Sequence, residues 1–321
     1  MDRRKFIGGL GAGLLSLSLA GCGVKTLGNS GETNGNNGGA SGDAAGNKTK
    51  PVTASVYDSK KLVIAQGTDP DSLIEKGLSA LGGIGLLVKK GSSVVIKPNY
   101  SVPKRPGADA ITTNPLLLAA LVKQCLTAGA KEVKVIDFPF GGPQCLVLSG
   151  IKDAVEKAGG KAFDIGKQND FTEVDTGGVT LKKVMFSKDV LDADVLINFP
   201  ILKHHAMTKV TMGLKGMMGL VQDRQYFHRT DLHQCIAELT AYRKPDLTIL
   251  DAIKGITDRG PMGPGTIKEW NQVVFGVDPV ALDAYGANLF GLKPEEIAYI
   301  TAAAKLGVGE IDTQKITVQK V

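Results

Sequence analysis

The stretch Pro200–Leu220 reads PILKHHAMTKVTMGLKGMMGL and follows an apolar run with the character of a strand. It holds two of the chain's four histidines, His204 and His205, together with Lys203, Lys209 and Lys215. Imidazole exchanges protons near neutral pH. Lysine supplies a compact positive charge for phosphate or carboxylate. Gly213, Gly216 and Gly219 interrupt the stretch, and a glycine lets a backbone come close to a ligand. Lys215 and Gly216 are therefore candidate substrate-binding residues, although the spacing is not that of a Walker A loop. The bland alternative is a glycine-interrupted helix carrying a surface lysine.

Four more apolar runs end on a residue able to do chemistry. VVI ends at Lys97-Pro98-Asn99, VKVI at Asp137, LTIL at Asp251 and VVFGV at Asp278. In an open α/β sheet the carboxyl ends of parallel strands line one rim, and ligands bind there. Parallel strands would bring Lys97, Asn99, Asp137, Lys203, His204, Asp251 and Asp278 together. Structural roles compete at several of these positions. Asp278 precedes Pro279 and reads equally well as a helix N-cap. Asp283 is expected to face solvent or a helix partner. Asp137 sits in DFPFGGP, which is rich in turn formers. His205 points away if His204 points in, because neighbouring side chains on an extended segment face opposite sides.

His228 and His233 complete the histidine set. Asp231 reads as the cap of the helix that follows, which leaves His228 freer to reach a site. His204, His233 and Asp251 form a conceivable ligand set for a divalent metal. Met207, Met212, Met217 and Met218 offer soft copper ligands on one reading and core filler on the other.

The elements that must position these groups follow a regular alternation. Apolar strands are expected at 61–67, 92–99, 131–139, 193–200, 246–252 and 271–277, with a hairpin in FTEVDTGGVTLKKVMFS. Helices are expected after Gly67, at 114–130 with Asn114 as cap and Pro115 at the first helical position, at 145–160, at 231–243, at 278–291 and at 294–307. Short apolar strands alternating with helices predict an α/β fold, a mostly parallel sheet with helices on both faces and Rossmann-like halves.

The first residues have another purpose. MDRRKFIGGLGAGLLSLSLAGC has paired arginines, a short apolar stretch and Leu19-Ala20-Gly21-Cys22. It resembles a twin-arginine export signal ending in a bacterial lipobox, with Cys22 as the lipidated residue. A plain export signal with a chance cysteine is the alternative. Residues 23–59 are rich in glycine, asparagine and serine and read as a flexible tether. The expected organisation is thus signal 1–22, tether 23–59 and α/β domain 60–321, with the export machinery and a membrane as partners. The expected location is exported and lipid-anchored, on the periplasmic or extracellular face. A net charge of +6 with only 5% aromatic residues and no dense basic run argues against nucleic acid. Cys125, Cys145 and Cys235 lie far apart without a C-x-x-C pair, which disfavours an iron–sulfur ligand set or a disulfide scaffold.

Several of these segments together resemble the DUF362 family: VVIKPN, TTNPLLLAALV, AGAKEVKVID, DVLINFPILKHHAMTKVTMGLKGMMG, PDLTILDAIKGITDRGPMGPG and DPVALDAYGANLFG. The resemblance runs from about Leu62 to Gly309. It implies an α/β domain with a site around Lys97, Asn99, Lys203, His204, Lys215, His233 and Asp251. Some relatives carry a ferredoxin-like cysteine module that is missing here, so an iron–sulfur cluster is not carried over.

Two functions remain open at this level. One is an enzyme for a small anionic substrate, in which Lys97, Asn99, Asp137, Lys203 and Lys215 hold the ligand. His204 or His228 then exchanges protons, and Asp251 orients the histidine or binds metal. The other is a tethered binding protein for an anionic solute or a metal ion, motivated by the lipoprotein-like start and the lack of a complete nucleophile signature.

Overall fold

A computed structural model describes residues 55–100 and 110–321. The export signal, Cys22 and residues 23–54 of the expected tether lie outside the described residues. Tyr57 was expected in the tether, but it is buried and its hydroxyl donates to the Gly83 carbonyl at 2.9 Å. The folded part therefore reaches upstream of residue 60.

The sheet is built around β2 (Ser93–Pro98), β3 (Glu132–Asp137) and β4 (Lys161–Asp164), which run parallel. Helix α2 (Pro115–Thr127) joins the first two, and α3 (Gln144–Leu148) with α4 (Ile151–Lys157) joins the next. This unit is a Rossmann-like half. Asn114 caps α2 by accepting from the Leu116 amide at 2.9 Å, and Pro115 opens the helix. The single helix expected over 145–160 is broken in two at Gly150, whose φ of 80° is left-handed.

On the other side of β2 lie β7 (Val195–Phe199) and β10 (Leu247–Ile256), both parallel to it. Then come β11 (Ile267–Gly276), β1 (Lys61–Gln66) and β12 (Thr317–Lys320), giving the order β12-β1-β11-β10-β7-β2-β3-β4. Only β11 runs against the rest, pairing antiparallel with both neighbours. Strands β10 and β11 form one long hairpin, paired from Ile256↔Ile267 back to Thr248↔Gly276. A hairpin return reverses direction, so β11 ends at the opposite rim. Asp278 therefore does not join the other strand-end residues. It caps α9 (Pro279–Phe290), accepting from the Val280 and Ala281 amides at 2.9 Å, and takes the Glu310 amide at 2.8 Å.

Alternate residues of the strands feed two separate cores, as a sheet covered on both faces requires. Val63, Ile96, Val135, Ile197, Ile249 and Phe275 pack against the layer of α1 (Pro70–Leu81), α2 and α4. Leu62, Ile64, Val95, Leu196, Leu250 and Val274 face the layer of α8 (Leu232–Tyr242), α9 and α10 (Ala298–Lys305). The expected hairpin is present as β5 (Phe171–Asp175) and β6 (Lys183–Ser187), followed by α5 (Lys188–Asp192). Among the described residues no helix is long and apolar enough to cross a membrane.

Because Asp278 serves two backbone segments away from the strand-end rim, Asp278→Ala should lower unfolding free energy by about 1–2 kcal/mol while leaving small-anion binding unchanged. Denaturant unfolding together with calorimetric titration of phosphate checks both halves of this expectation.

Candidate functional site

Strand β2 moves to β3 on one side and has β7 on the other, so the β2–β7 boundary is where the strand order reverses. In an α/β sheet that reversal leaves a ligand crevice at the carboxyl ends. The residues there are Lys97, Pro98 and Asn99 from β2, Asp137 from β3, and the segment after β7. That segment is a short hairpin, β8 (Lys203–His205) with β9 (Lys209–Thr211), then α6 (Gly213–Gly216) and a tight turn of helix over Met217–Leu220. Alternation alone does not reveal a three-residue hairpin, and the sequence reading has none here.

Lys97 is 1% exposed, and its Nζ lies 3.1 Å from Asp137 Oδ1. The same ammonium donates to the Pro98 carbonyl at 2.7 Å. Burial pushes the Lys97 pKa down, and Asp137 pulls it back up. Gly219 lies against this pair. A Cβ there would sit 2.7 Å from Lys97 Nζ and would collide with Asp137 Oδ1. Gly219 is thus a glycine whose missing side chain lets the backbone close onto the ion pair. A Cβ on Gly216 would meet nothing closer than Asn198 Oδ1 at 3.5 Å.

Lys203 is also 1% exposed and has no carboxylate partner within 4 Å among the described residues. It donates to Asn99 Oδ1 at 2.8 Å and to the Ile111 carbonyl at 2.7 Å. Asn99 is thereby committed to orienting Lys203. Its backbone amide donates to Thr113 Oγ1 at 2.9 Å, and that hydroxyl donates to the Phe199 carbonyl at 2.8 Å. Burial first, then the charge of Lys215, lower the Lys203 pKa to about 7; Asp137 opposes them, and Lys97 adds a smaller downward push. Such an amine changes charge near neutrality.

Lys215 projects from α6, is partly exposed, and has one short contact, Met218 Sδ at 3.5 Å. Burial together with Arg224 and Lys97 lowers its pKa to about 8. Arg224 opens α7 (Arg224–Arg229), stacks 4.4 Å above the Phe138 ring and donates to the Phe138 carbonyl at 2.8 Å. Sequence reading missed Arg224, because nothing in QDRQYF marks it until the fold brings α7 over the end of β3. Lys97, Lys203 and Arg224 thus share the field of one carboxylate, Asp137, while the charged neighbours of Lys215 are Arg224 and Lys97.

The histidines divide between this cluster and its edges. His204 Nδ1 accepts the Gly260 amide at 2.9 Å, so its other nitrogen carries the proton when the ring is neutral. His205 is buried and accepts the Met207 amide; burial and the nearby lysines hold its pKa at about 3. His228 is exposed on α7, and burial, Lys215 and Arg224 all depress its pKa. His233 stacks on Tyr299 with ring centroids 6.4 Å apart, and its Nδ1 is buried without a partner.

Asp251 departs from its expected part. It is 2% exposed, and its oxygens accept the Asn114 amide at 2.8 Å and the Ile253 amide at 3.1 Å. It ties the start of α2 to β10 rather than orienting a histidine. The expected metal ligands His204, His233 and Asp251 do not come together; among the described residues no group of three His, Cys, Asp or Glu is arranged to hold a metal ion. Met212, Met217 and Met218 are core filler, and Met207 is exposed. Cys125, Cys145 and Cys235 are buried and unpaired.

Asp283 takes the second of its two expected roles and faces a helix partner: it is fully buried and accepts the Gly213 and Leu214 amides at the start of α6 at 2.7 and 3.0 Å. Asn198 holds the same turn from beneath, donating to the Gly213 carbonyl at 2.8 Å. These two residues fix the start of α6 and hence the backbone that carries Lys215. An acid at the sixth position of the helix expected over 278–291 does not by itself name the Gly213 and Leu214 amides as its partners.

The fold and site define an α/β protein with a cluster of enclosed cations at the switch point of a mostly parallel sheet. The chain belongs to the DUF362 family: the family model described as a domain of unknown function matches residues 94–288. It is 31% identical over 248 residues to the thylakoid-associated protein sll1697 of Synechocystis sp., covering 72% of this chain and 73% of that protein. The lactate racemase apoprotein from Thermoanaerobacterium thermosaccharolyticum is similar at a TM-score of 0.48 and 15% identity, over 71% of this chain and 56% of that one. A structural-genomics protein from Thermotoga maritima has a TM-score of 0.45 and 12% identity, over 74% and 60% of the two chains. This chain thus spans less than two thirds of either of those structures.

The site should give the ligand-free protein an unusual pH profile. Asp251 and Asp283 have pKa values raised from 3.8 to about 6 and about 7 by burial. Over that interval the folded state binds protons that the unfolded state releases, so stability falls as pH rises towards 7. Lys203 and Lys215 have values lowered from 10.5 to about 7 and about 8. There the unfolded state binds the extra protons, so stability rises from neutrality towards the ordinary lysine value. Denaturation midpoints should rise from neutral pH towards the ordinary lysine range, and a steady fall above neutrality would contradict the buried-amine assignment.

Proposed function

We propose that the protein is an enzyme that binds a small anionic substrate at the strand-end cluster, with Lys97, Lys203, Lys215 and Arg224 holding the anion. The single observation behind this reading is the charge imbalance: four cationic side chains, Lys97 and Lys203 buried and Lys215 and Arg224 partly buried, converge where, among the described residues, Asp137 is the carboxylate that answers them. Enclosed charges of one sign repel and cost desolvation energy. A bound phosphate or carboxylate relieves both costs and gains charge-assisted hydrogen bonds.

Proton exchange in this account belongs to Lys203, whose pKa of about 7 suits acid–base work at neutral pH. His228 is the second proton carrier, exposed at the edge beside Lys215. His204 is oriented by the Gly260 amide and contributes its remaining ring nitrogen as a hydrogen-bonding group. Asp251 and Asn99 act by positioning, the first on α2 and the second on Lys203.

We place this enzyme outside the cytoplasm, attached to a membrane through a lipid on Cys22. The support is the Arg3-Arg4 pair, the short apolar stretch, the Leu19–Cys22 sequence and the polar tether that follows. Cys22→Ser expressed in a bacterial host should move the protein from the membrane fraction to the soluble one. A variant still sedimenting with membranes after a high-salt wash would remove the anchor from this proposal.

Lys203→Met should weaken binding of inorganic phosphate or a small carboxylate by about tenfold or more, since a hydrogen bond to a charged group contributes roughly 1.5–3 kcal/mol. It should also abolish turnover of whichever anion binds. Calorimetric titration of folded variants reads the affinity. Undiminished affinity in both Lys203→Met and Arg224→Met would overturn the anion-site reading.

A further inference from the structure

The three lysines of the cluster are not equivalent. Lys97 is paired with Asp137, and Lys203 is fully enclosed between two oxygen acceptors. Lys215 alone of the three is partly open to solvent, and its one short contact among the described residues is the thioether of Met218. Its charged neighbours Arg224 and Lys97 are cations. Its backbone is held from two sides, by Asp283 on the Gly213 and Leu214 amides and by Asn198 on the Gly213 carbonyl. An amine kept among cations, without a carboxylate, in a partly desolvated place is the arrangement that turns lysine into a nucleophile.

We propose that Lys215 is the nucleophilic amine of the site and forms an imine with the carbonyl carbon of a small oxo acid. The inference rests on the small-anion reading above and names the substrate class for it. The carboxylate of the oxo acid occupies the field of Lys203, Lys97 and Arg224. The Lys215 nitrogen adds to the carbonyl carbon to give a carbinolamine. The carbonyl oxygen then leaves as water, carrying the two hydrogens that the neutral amine brought, and a carbon–nitrogen double bond remains. His228, exposed beside Lys215, supplies and recovers the proton that makes hydroxide a viable leaving group. His205 stays neutral with its pKa near 3, and so adds no further charge against the forming iminium. The amine reaction sets in as pH rises through the Lys215 value of about 8.

The test uses the full chain with glyoxylate as probe, reduction by cyanoborohydride, and peptide mapping by mass spectrometry. Nε-carboxymethyl-lysine should accumulate at Lys215 about tenfold or more faster than at the exposed Lys305 near neutral pH, because a larger fraction of a low-pKa amine is unprotonated. Phosphate should compete with this labelling, and Lys215→Arg should reduce total cyanoborohydride trapping to the level of the surface lysines. Mapping on the unaltered protein keeps the test valid should the variant fail to fold. Labelling spread evenly over surface lysines, with phosphate still bound, would overturn the imine proposal and leave the anion site standing. Even labelling together with no phosphate binding would remove both.

Discussion

The ion pair between Lys97 and Asp137 is the contact around which the site is arranged, because among the described residues it is where a carboxylate meets one of the cluster's cations within salt-bridge distance. Both side chains are about 2% exposed, so each has given up water. A buried pair of this kind does not owe its existence to net stability, since desolvation offsets much of the attraction. What it does is fix the carboxyl ends of β2 and β3 relative to each other. Gly219 then closes over the pair because it has no Cβ, and its carbonyl accepts the Phe138 amide at 3.1 Å. The segment carrying Lys215 is thereby brought down onto the rim.

From that contact the rest of the site follows as a chain of supports. Asn99, next to the β2 end, turns its side-chain oxygen to Lys203, while Thr113 links Asn99 to the end of β7. Asp251 binds the Asn114 amide and so aligns the start of α2 with the same rim. Asp283 and Asn198 do the corresponding work for α6. Most polar side chains near the cations are occupied with backbone groups, and so are poor counter-ions for the amines. These hydrogen bonds place Lys203 and the backbone of α6 before any ligand arrives, and preorganisation of this kind lowers the ordering cost of binding.

Burial then separates the functions of chemically identical groups. Lys97 keeps an opposite charge beside it, Lys203 is held by neutral oxygens with a pKa of about 7, and Lys215 is partly buried among cations with a pKa of about 8. Differences of this size between neighbouring lysines arise from desolvation and like-charge repulsion, and they mark functional sites more often than structural ones.

The chain's own residue pattern determined the architecture and most of the site's members. Six apolar runs alternating with capped helices announced an α/β sheet covered on both faces, because burial on two sides demands uninterrupted apolar strands. Lys97, Asn99, Asp137 and Lys203 were legible for a related reason: polar residues ending such strands fall on one rim when the strands run the same way. Tertiary structure decided what depends on direction and on contacts remote in sequence. The β10–β11 hairpin sent Asp278 to the far rim, an outcome local periodicity does not encode. Asp251 and Asp283 proved to be holders of backbone amides, and Arg224 joined the cations only because α7 crosses the end of β3. Apolar periodicity reports how a residue faces its own sheet or helix layer. Which distant group answers its charge is settled only when the layers pack.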